Sequence, residues 1–250
     1  MMLIAKKTFT RRRGPAIAAL AIAALFWQGL AWSQGDADAA VAIAPPARDE
    51  APASAQGETA LLAGGCFWGV QGVFQHVKGV KSVVAGYTGG NAQDANYQAV
   101  SGGDTGHAES VEVTFDPAQV SYGTLLQIFF SVAHNPTQLN YQGPDTGTQY
   151  RSAIFPQTDA QQRVAREYIA QLNAGHAYGA PLATTIEPGA QFYPAEDYHQ
   201  NYLTNNPQAR YIMINDLPKL TQLQRLFPDR YRSDPVLVNV QGSAYVLPPR

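Results

Sequence analysis

The chain has one cysteine among its 250 residues. That excludes an internal disulfide, and it excludes a zinc site of the cysteine-rich kind. Charge is sparse, with 14% of residues charged and a formal net charge of −2. The basic excess that marks a nucleic-acid footprint is missing. The five histidines form no HExxH pair, so no metal is expected. There is no GxSxG elbow, no Walker motif and no internal repeat. What is present is 45% hydrophobic composition, with 22 glycines and 17 prolines. This fits one loop-rich domain of moderate size with extra tail sequence.

The beginning of the sequence reads as a leader. Lys6, Lys7, Arg11, Arg12 and Arg13 precede an apolar run from Ala16 to Trp32. That is the layout of a secretory signal peptide, with a cut after Ser33. Residues 1–33 are therefore expected to direct export, to a periplasm or to the outside. An uncleaved leader would instead leave the protein tethered to a membrane. Residues 34–57 are rich in Ala, Pro, Asp and Gly without periodicity, and are expected as a disordered linker. The folded domain is expected over 58–233. Residues 234–250 form a Pro-bearing tail that wraps the surface or stays mobile.

Within the domain, periodicity predicts a strand over 58–63. It is followed by an amphipathic helix carrying Val70, Val73, Phe74 and Val77. Strands are predicted over 81–85, 107–115, 151–155 and 184–187. Ser121 caps a helix bearing Leu125, Leu126 and Phe129. Thr158 and Gln161 form a capping box for another, and 195–203 reads as a last short helix. The fold class is α+β: a two-layer sandwich of a small mixed sheet with helices packed on it.

Chemistry concentrates at Cys66. A lone thiol is either buried filler or a reactive group. This one follows Gly64 and Gly65 and opens a helix, where free backbone N–H groups and the helix dipole favour an anion. The position is expected to lower the thiol pKa. Phe67 and Trp68 follow directly, and two adjacent aromatics cannot both lie on the buried stripe. One of them is expected to form an apolar wall beside the sulfur, suited to a small apolar group such as a methyl. In the strand 107–115, Glu109 has the parity of Val111, Val113 and Phe115. If it shares their buried face, desolvation raises its pKa and makes it a proton donor. If the register slips at the strand start, Glu109 is simply solvated. Asp145 reads first as part of a turn, and Tyr97 as a loop aromatic.

The sequence resembles the A-type peptide methionine sulfoxide reductases. The likeness runs through Gly65-Cys66-Phe67-Trp68-Gly69, Gly86-Tyr87-Thr88-Gly89-Gly90 and the stretch Ser101 to Glu109. It continues through Gln142 to Asp145, Gly147 to Ser152, and Ala195 to Gln200. The resemblance implies Cys66 as nucleophile, with Phe67 and Trp68 holding the substrate methyl. It implies Glu109 as the acid for the sulfoxide oxygen, with Tyr97 and Tyr150 binding that oxygen and Asp145 in the same site. It implies the S epimer of methionine sulfoxide, free or in oxidised proteins, as substrate, with neither metal nor cofactor. Many relatives carry further cysteines that resolve the resulting sulfenic acid. This chain has none, so an external thiol reductant, thioredoxin-like, glutaredoxin-like or small, is expected to recycle Cys66. Asn135 stands where relatives often have Asp, and Tyr141 where many have Arg. A monomer is expected. The competing readings are a peroxidase-like thiol enzyme and a non-catalytic binder of oxidised methionine.

Overall fold

The structure is a computed structural model that describes residues 40–50 and 57–239. The leader, and parts of the linker and tail, lie outside the described residues.

The described residues form eight strands and six α-helices. They are β1 (Glu58–Gly64), α1 (Phe67–Gln75), β2 (Val80–Thr88), α2 (Tyr97–Val100), β3 (Ala108–Phe115) and α3 (Tyr122–Ile128). Next come β4 (Tyr141–Gln142), β5 (Asp145–Thr146), β6 (Ser152–Phe155) and α4 (Asp159–Ala174). Last are β7 (Thr185–Ile186), β8 (Phe192–Pro194), α5 (Tyr202–Asn205) and α6 (Leu217–Leu226). One six-stranded sheet has the order β7-β6-β1-β3-β2-β8, and β4 pairs with β5 in a separate hairpin. The β6–β7 pairing is parallel and the others antiparallel, so the sheet is mixed.

The period-2 rule sorts the sheet's two faces. Ala60, Leu62, Val83, Ala85, Val111 and Val113 join one core with Val70, Val73 and Phe74 of α1, Leu125 of α3 and Tyr168 of α4. Leu61, Ala63, Val84, Ala108 and Phe155 form a smaller cluster with Phe192 on the opposite face. The α+β sandwich expected from the sequence is the architecture observed, with α1, α3 and α4 contributing to the larger core.

Local chemistry explains several boundaries. Ser121 Oγ accepts from Thr124 N–H and starts α3; Thr158 Oγ1 accepts from Gln161 N–H and starts α4. The reciprocal half of the predicted capping box is displaced by one residue. Gln161 Oε1 accepts from Gln157 N–H, and its amide donates to Thr59 C=O, tying α4 to β1. After α3 the chain widens into a π turn over Phe129–Ala133.

Two expectations need correction. Residues 195–203 do not form one helix. A 3₁₀ turn (Asp197–His199) and α5 are separated by Asn201, which is left-handed at φ +57. The interruption has a cause in packing. Gln200 accepts from Ala85 N–H and donates to Ala85 C=O, while Asn201 N–H donates to Gln71 Oε1. A continuous helix would break those bonds. The linker is also not disordered over residues 40–50. Val41 N–H donates to Ser131 C=O, Ala44 C=O accepts from the Tyr168 hydroxyl, and Asp49 accepts from Gly123 N–H. Composition suggests a free tether, but these bonds pin it to α3 and α4. Of the tail, Val236 N–H donates to Gln75 C=O and Val238 N–H to Asn201 Oδ1, so this part wraps the surface.

Candidate active site

Cys66 caps α1 and follows Gly65, whose φ is +85. Only glycine adopts that conformation without strain. A side chain there would also collide with Gln142, whose Cγ lies 2.4 Å from the position a Cβ would take. The two glycines let β1 turn sharply into α1 and bring the β4–β5 hairpin against the turn.

The expected face of Glu109 is the observed one. Its carboxylate is buried and accepts the Phe67 N–H at 3.0 Å. That N–H is one of the free donors at the start of α1. Burial nevertheless dominates and pushes the Glu109 carboxyl up to about 8, so it holds its proton at neutral pH.

The expectation for the thiol is overturned. Burial pushes the Cys66 thiol well above its ordinary range, and the neighbouring Glu109 and Asp216 carboxyls push the same way. The Trp68 backbone N–H does favour the thiolate, as a helix start should, but it is outweighed. Cys66 is thus a thiol at rest. Glu109 opposes its ionisation only while charged, and the burial that keeps Glu109 neutral removes that opposition.

Phe67 is buried and tilts against Tyr87 and His199. Trp68 is only partly buried, stacks on Tyr202 at 3.8 Å and meets Tyr211 edge-on. Its indole N–H donates to His199 Nδ1 at 3.1 Å. One aromatic of the pair therefore anchors and the other forms a wall.

Tyr150 ends a 3₁₀ turn before β6, and its hydroxyl lies within electrostatic reach of Glu109, Asp145, Cys66 and Tyr97. Burial raises its pKa, leaving a firm donor. Tyr97 is not in an irregular loop. It begins the single-turn α2, where its N–H donates to Glu196 Oε1 and its ring lies 4.6 Å from His199. Asp145, on β5, accepts a short hydrogen bond from the Tyr211 hydroxyl. Burial raises the Asp145 carboxyl. All seven candidate residues therefore gather around one helix start.

Sequence reasoning missed a second group. His199 contacts Phe67, Trp68 and Tyr97. Glu196 accepts from the Tyr87 hydroxyl and from Tyr97 N–H. Tyr211 leads into a π turn (Ile212–Asp216) that continues into α6. Asp216 is fully buried, and its Oδ1 accepts from Lys219 Nζ at 3.2 Å, while Oδ2 has no hydrogen-bond partner. It sits on the first turn of α1, where a Cβ on Gly69 would lie 2.0 Å from Oδ1. The helix start thus carries a sulfur and two carboxyls, with Lys219 bonded to one of them. Of the two departures from the resemblance, Asn135 Oδ1 accepts from the Thr137 N–H and hydroxyl, as a carboxylate would. Tyr141 is exposed at the start of β4.

Comparison with known proteins decides the family. The family model described as peptide methionine sulfoxide reductase matches residues 58–231. The chain belongs to the peptide methionine sulfoxide reductase family. It is 64% identical over 181 residues to peptide methionine sulfoxide reductase MsrA 2 of Mesorhizobium japonicum, covering 72% of this chain and 93% of that protein. It is 52% identical over 176 residues to the protein of the same name from Synechocystis, covering 70% and 82% respectively. Among solved structures, reduced Mxr1 from Saccharomyces cerevisiae superimposes with a TM-score of 0.56 at 35% identity, covering 64% of this chain and 91% of that one. Methionine sulfoxide reductase A of Corynebacterium diphtheriae superimposes with a TM-score of 0.52 at 34% identity, covering 63% and 78%. The fold of this reductase is the fold of its solved relatives.

Proposed function

We propose that this reductase converts methionine S-sulfoxide to methionine through the Cys66 thiolate, with Glu109 as the proton donor. The observation that carries the reading is the bond from Phe67 N–H to the buried Glu109 carboxylate, made beside the nucleophile's own helix cap.

The sulfoxide methyl rests against Trp68, and its oxygen takes hydrogen bonds from Tyr97 and Tyr150. Those contacts fix two substituents of the stereogenic sulfur, and the third leads out to the substrate chain. Only one epimer then presents its sulfur to Cys66. As Sγ attacks, negative charge grows on the oxygen and Glu109 gives it a proton. The thiol proton has left for solvent beforehand, and the vacated carboxylate is held by Phe67 N–H. The oxygen passes to Cys66, giving a sulfenic acid, and methionine leaves reduced by two electrons. An external thiolate then attacks Sγ, the hydroxyl departs as water, and a mixed disulfide forms. A second thiol frees Cys66.

The partner is a thiol reductant, because the chain contains no second cysteine. The basic and apolar beginning of the sequence supports export.

The test is turnover of each sulfoxide epimer, with dithiothreitol as donor. One methionine per enzyme should form without reductant, leaving a single cysteine reactive to a sulfenic-acid trap. Cys66→Ser should release none. Methionine release by that variant would overturn the assignment.

A further inference from the structure

Apolar side chains left in water cost free energy, and clusters of them mark contact surfaces. Seven large hydrophobic side chains are exposed among the described residues. Six of them belong to segments that also carry residues of the site, namely Tyr97, Gln142, His199 and Tyr211.

Leu139, 64% exposed, and Tyr141 stand on the hairpin side. That hairpin is fixed to the sulfur's own turn, because Gln142 fills the space beside Gly65 and accepts from Asn135 N–H. Met213 and Ile214, 58% exposed, stand on the C-terminal side. They follow Tyr211, which touches Trp68 and bonds Asp145. Tyr97 and Tyr198 stand on a third side, each with its ring against His199. The segments that carry the two aliphatic lips, Leu139-Asn140-Tyr141 and Ile212-Met213-Ile214-Asn215, contain no charged residue.

We propose that this rim is the binding surface for the residues flanking a methionine sulfoxide in an extended, apolar stretch of polypeptide. Leu139 and Ile214 are its specificity-determining residues. The proposal rests on the reductase reading, since a peptide whose side chain reaches Cys66 must run its backbone over the rim in both directions. Chain continuing from the reacting residue meets aliphatic carbon on the hairpin side and on the C-terminal side. Apolar neighbours of the substrate methionine would bury that carbon. Acidic neighbours would be desolvated against that carbon, which is unfavourable. Such stretches lie inside native proteins, so the surface favours substrates that have lost local structure. A folded thiol reductant meets the same rim only in the recycling half of the cycle.

The experiment uses the full chain with excess dithiothreitol, so that recycling is not limiting. Its substrates are free methionine S-sulfoxide and two hexapeptides with the sulfoxide at the third position, one flanked by leucines and one by aspartates. The wild type should show kcat/KM at least tenfold higher for the leucine peptide than for the aspartate peptide. Leu139→Asp and Ile214→Asp should each lower kcat/KM for the leucine peptide several-fold and leave free methionine sulfoxide unchanged. Equal values for both peptides in the wild type would overturn the proposal. So would variants that lose both substrates together. Absence of turnover with every substrate in the wild type would overturn the reductase reading instead.

Discussion

The Phe67 amide donates to the Glu109 carboxylate across 42 residues of sequence, at 3.0 Å. This bond ties α1, which Cys66 caps, to β3, which carries Glu109, so the two side chains cannot drift apart without breaking a buried contact. It also stabilises the carboxylate that Glu109 becomes once its proton is spent.

The rate should depend on pH in a way that reports this pair. The proposed mechanism reacts through a Cys66 thiolate with a protonated Glu109. The Glu109 carboxyl is pushed up to about 8, and the thiol titrates higher still. Below pH 8 the acid keeps its proton and the thiolate fraction grows with pH. Above it, loss of the acid's proton cancels further gain. We expect kcat/KM to rise through neutrality and level near pH 8, as a property of the coupled pair. A profile falling between pH 6 and 8 would contradict this order of ionisation.

Glu109→Gln keeps the shape of the side chain and removes the proton donor. We expect kcat to fall by roughly 10² to 10⁴, the usual worth of a positioned acid. The rising limb should move upward toward the ionisation of Cys66 alone. Stopped-flow methionine release across pH distinguishes this from simple loss of folding.

Asp216 opposes ionisation of the thiol. Asp216→Asn should therefore shift the pH midpoint for alkylation of Cys66 by iodoacetamide downward. An unmoved midpoint in a folded variant would remove Asp216 from the electrostatics of the site.

Lys219→Met takes the bonded cation from a fully buried carboxyl. Breaking a buried pair in this way costs about 3 kcal/mol. The sign with pH follows from the raised Asp216 carboxyl. As pH falls the unpaired acid takes up a proton inside the fold, and the deficit shrinks. Urea unfolding at pH 5 and pH 8 measures both. Equal deficits at the two values would argue against an ionised Asp216.

The site was half legible from the sequence, and the division has physical reasons. Strand parity placed Glu109 with Val111 and Val113, because side-chain alternation is a local property. The glycine pair before Cys66 marked a turn into a helix for the same kind of reason. The thiol's ionisation was misread, because it depends on carboxyls brought from positions 109 and 216 by folding. Tyr211, Asp216 and Lys219 went unnoticed for a similar cause, although Asp216-Leu217-Pro218 is a recognisable helix start and Leu217, Leu220 and Leu223 repeat at a helical spacing. The break at Asn201 had no local signal. It is imposed by Gln71, Gln75 and Val238, which bond to it from remote parts of the chain.

The amide of Gln200 meets both the N–H and the C=O of Ala85, as a residue of a neighbouring strand would. Gln71 does the same for Val83 C=O. Strand β8 pairs with β2 only along Gly86–Thr88, and these two glutamines finish the border where β8 stops. The backbone groups of Ala85 and the carbonyl of Val83 are thereby taken. At that border a visiting polypeptide finds amide side groups already in the place a strand would take.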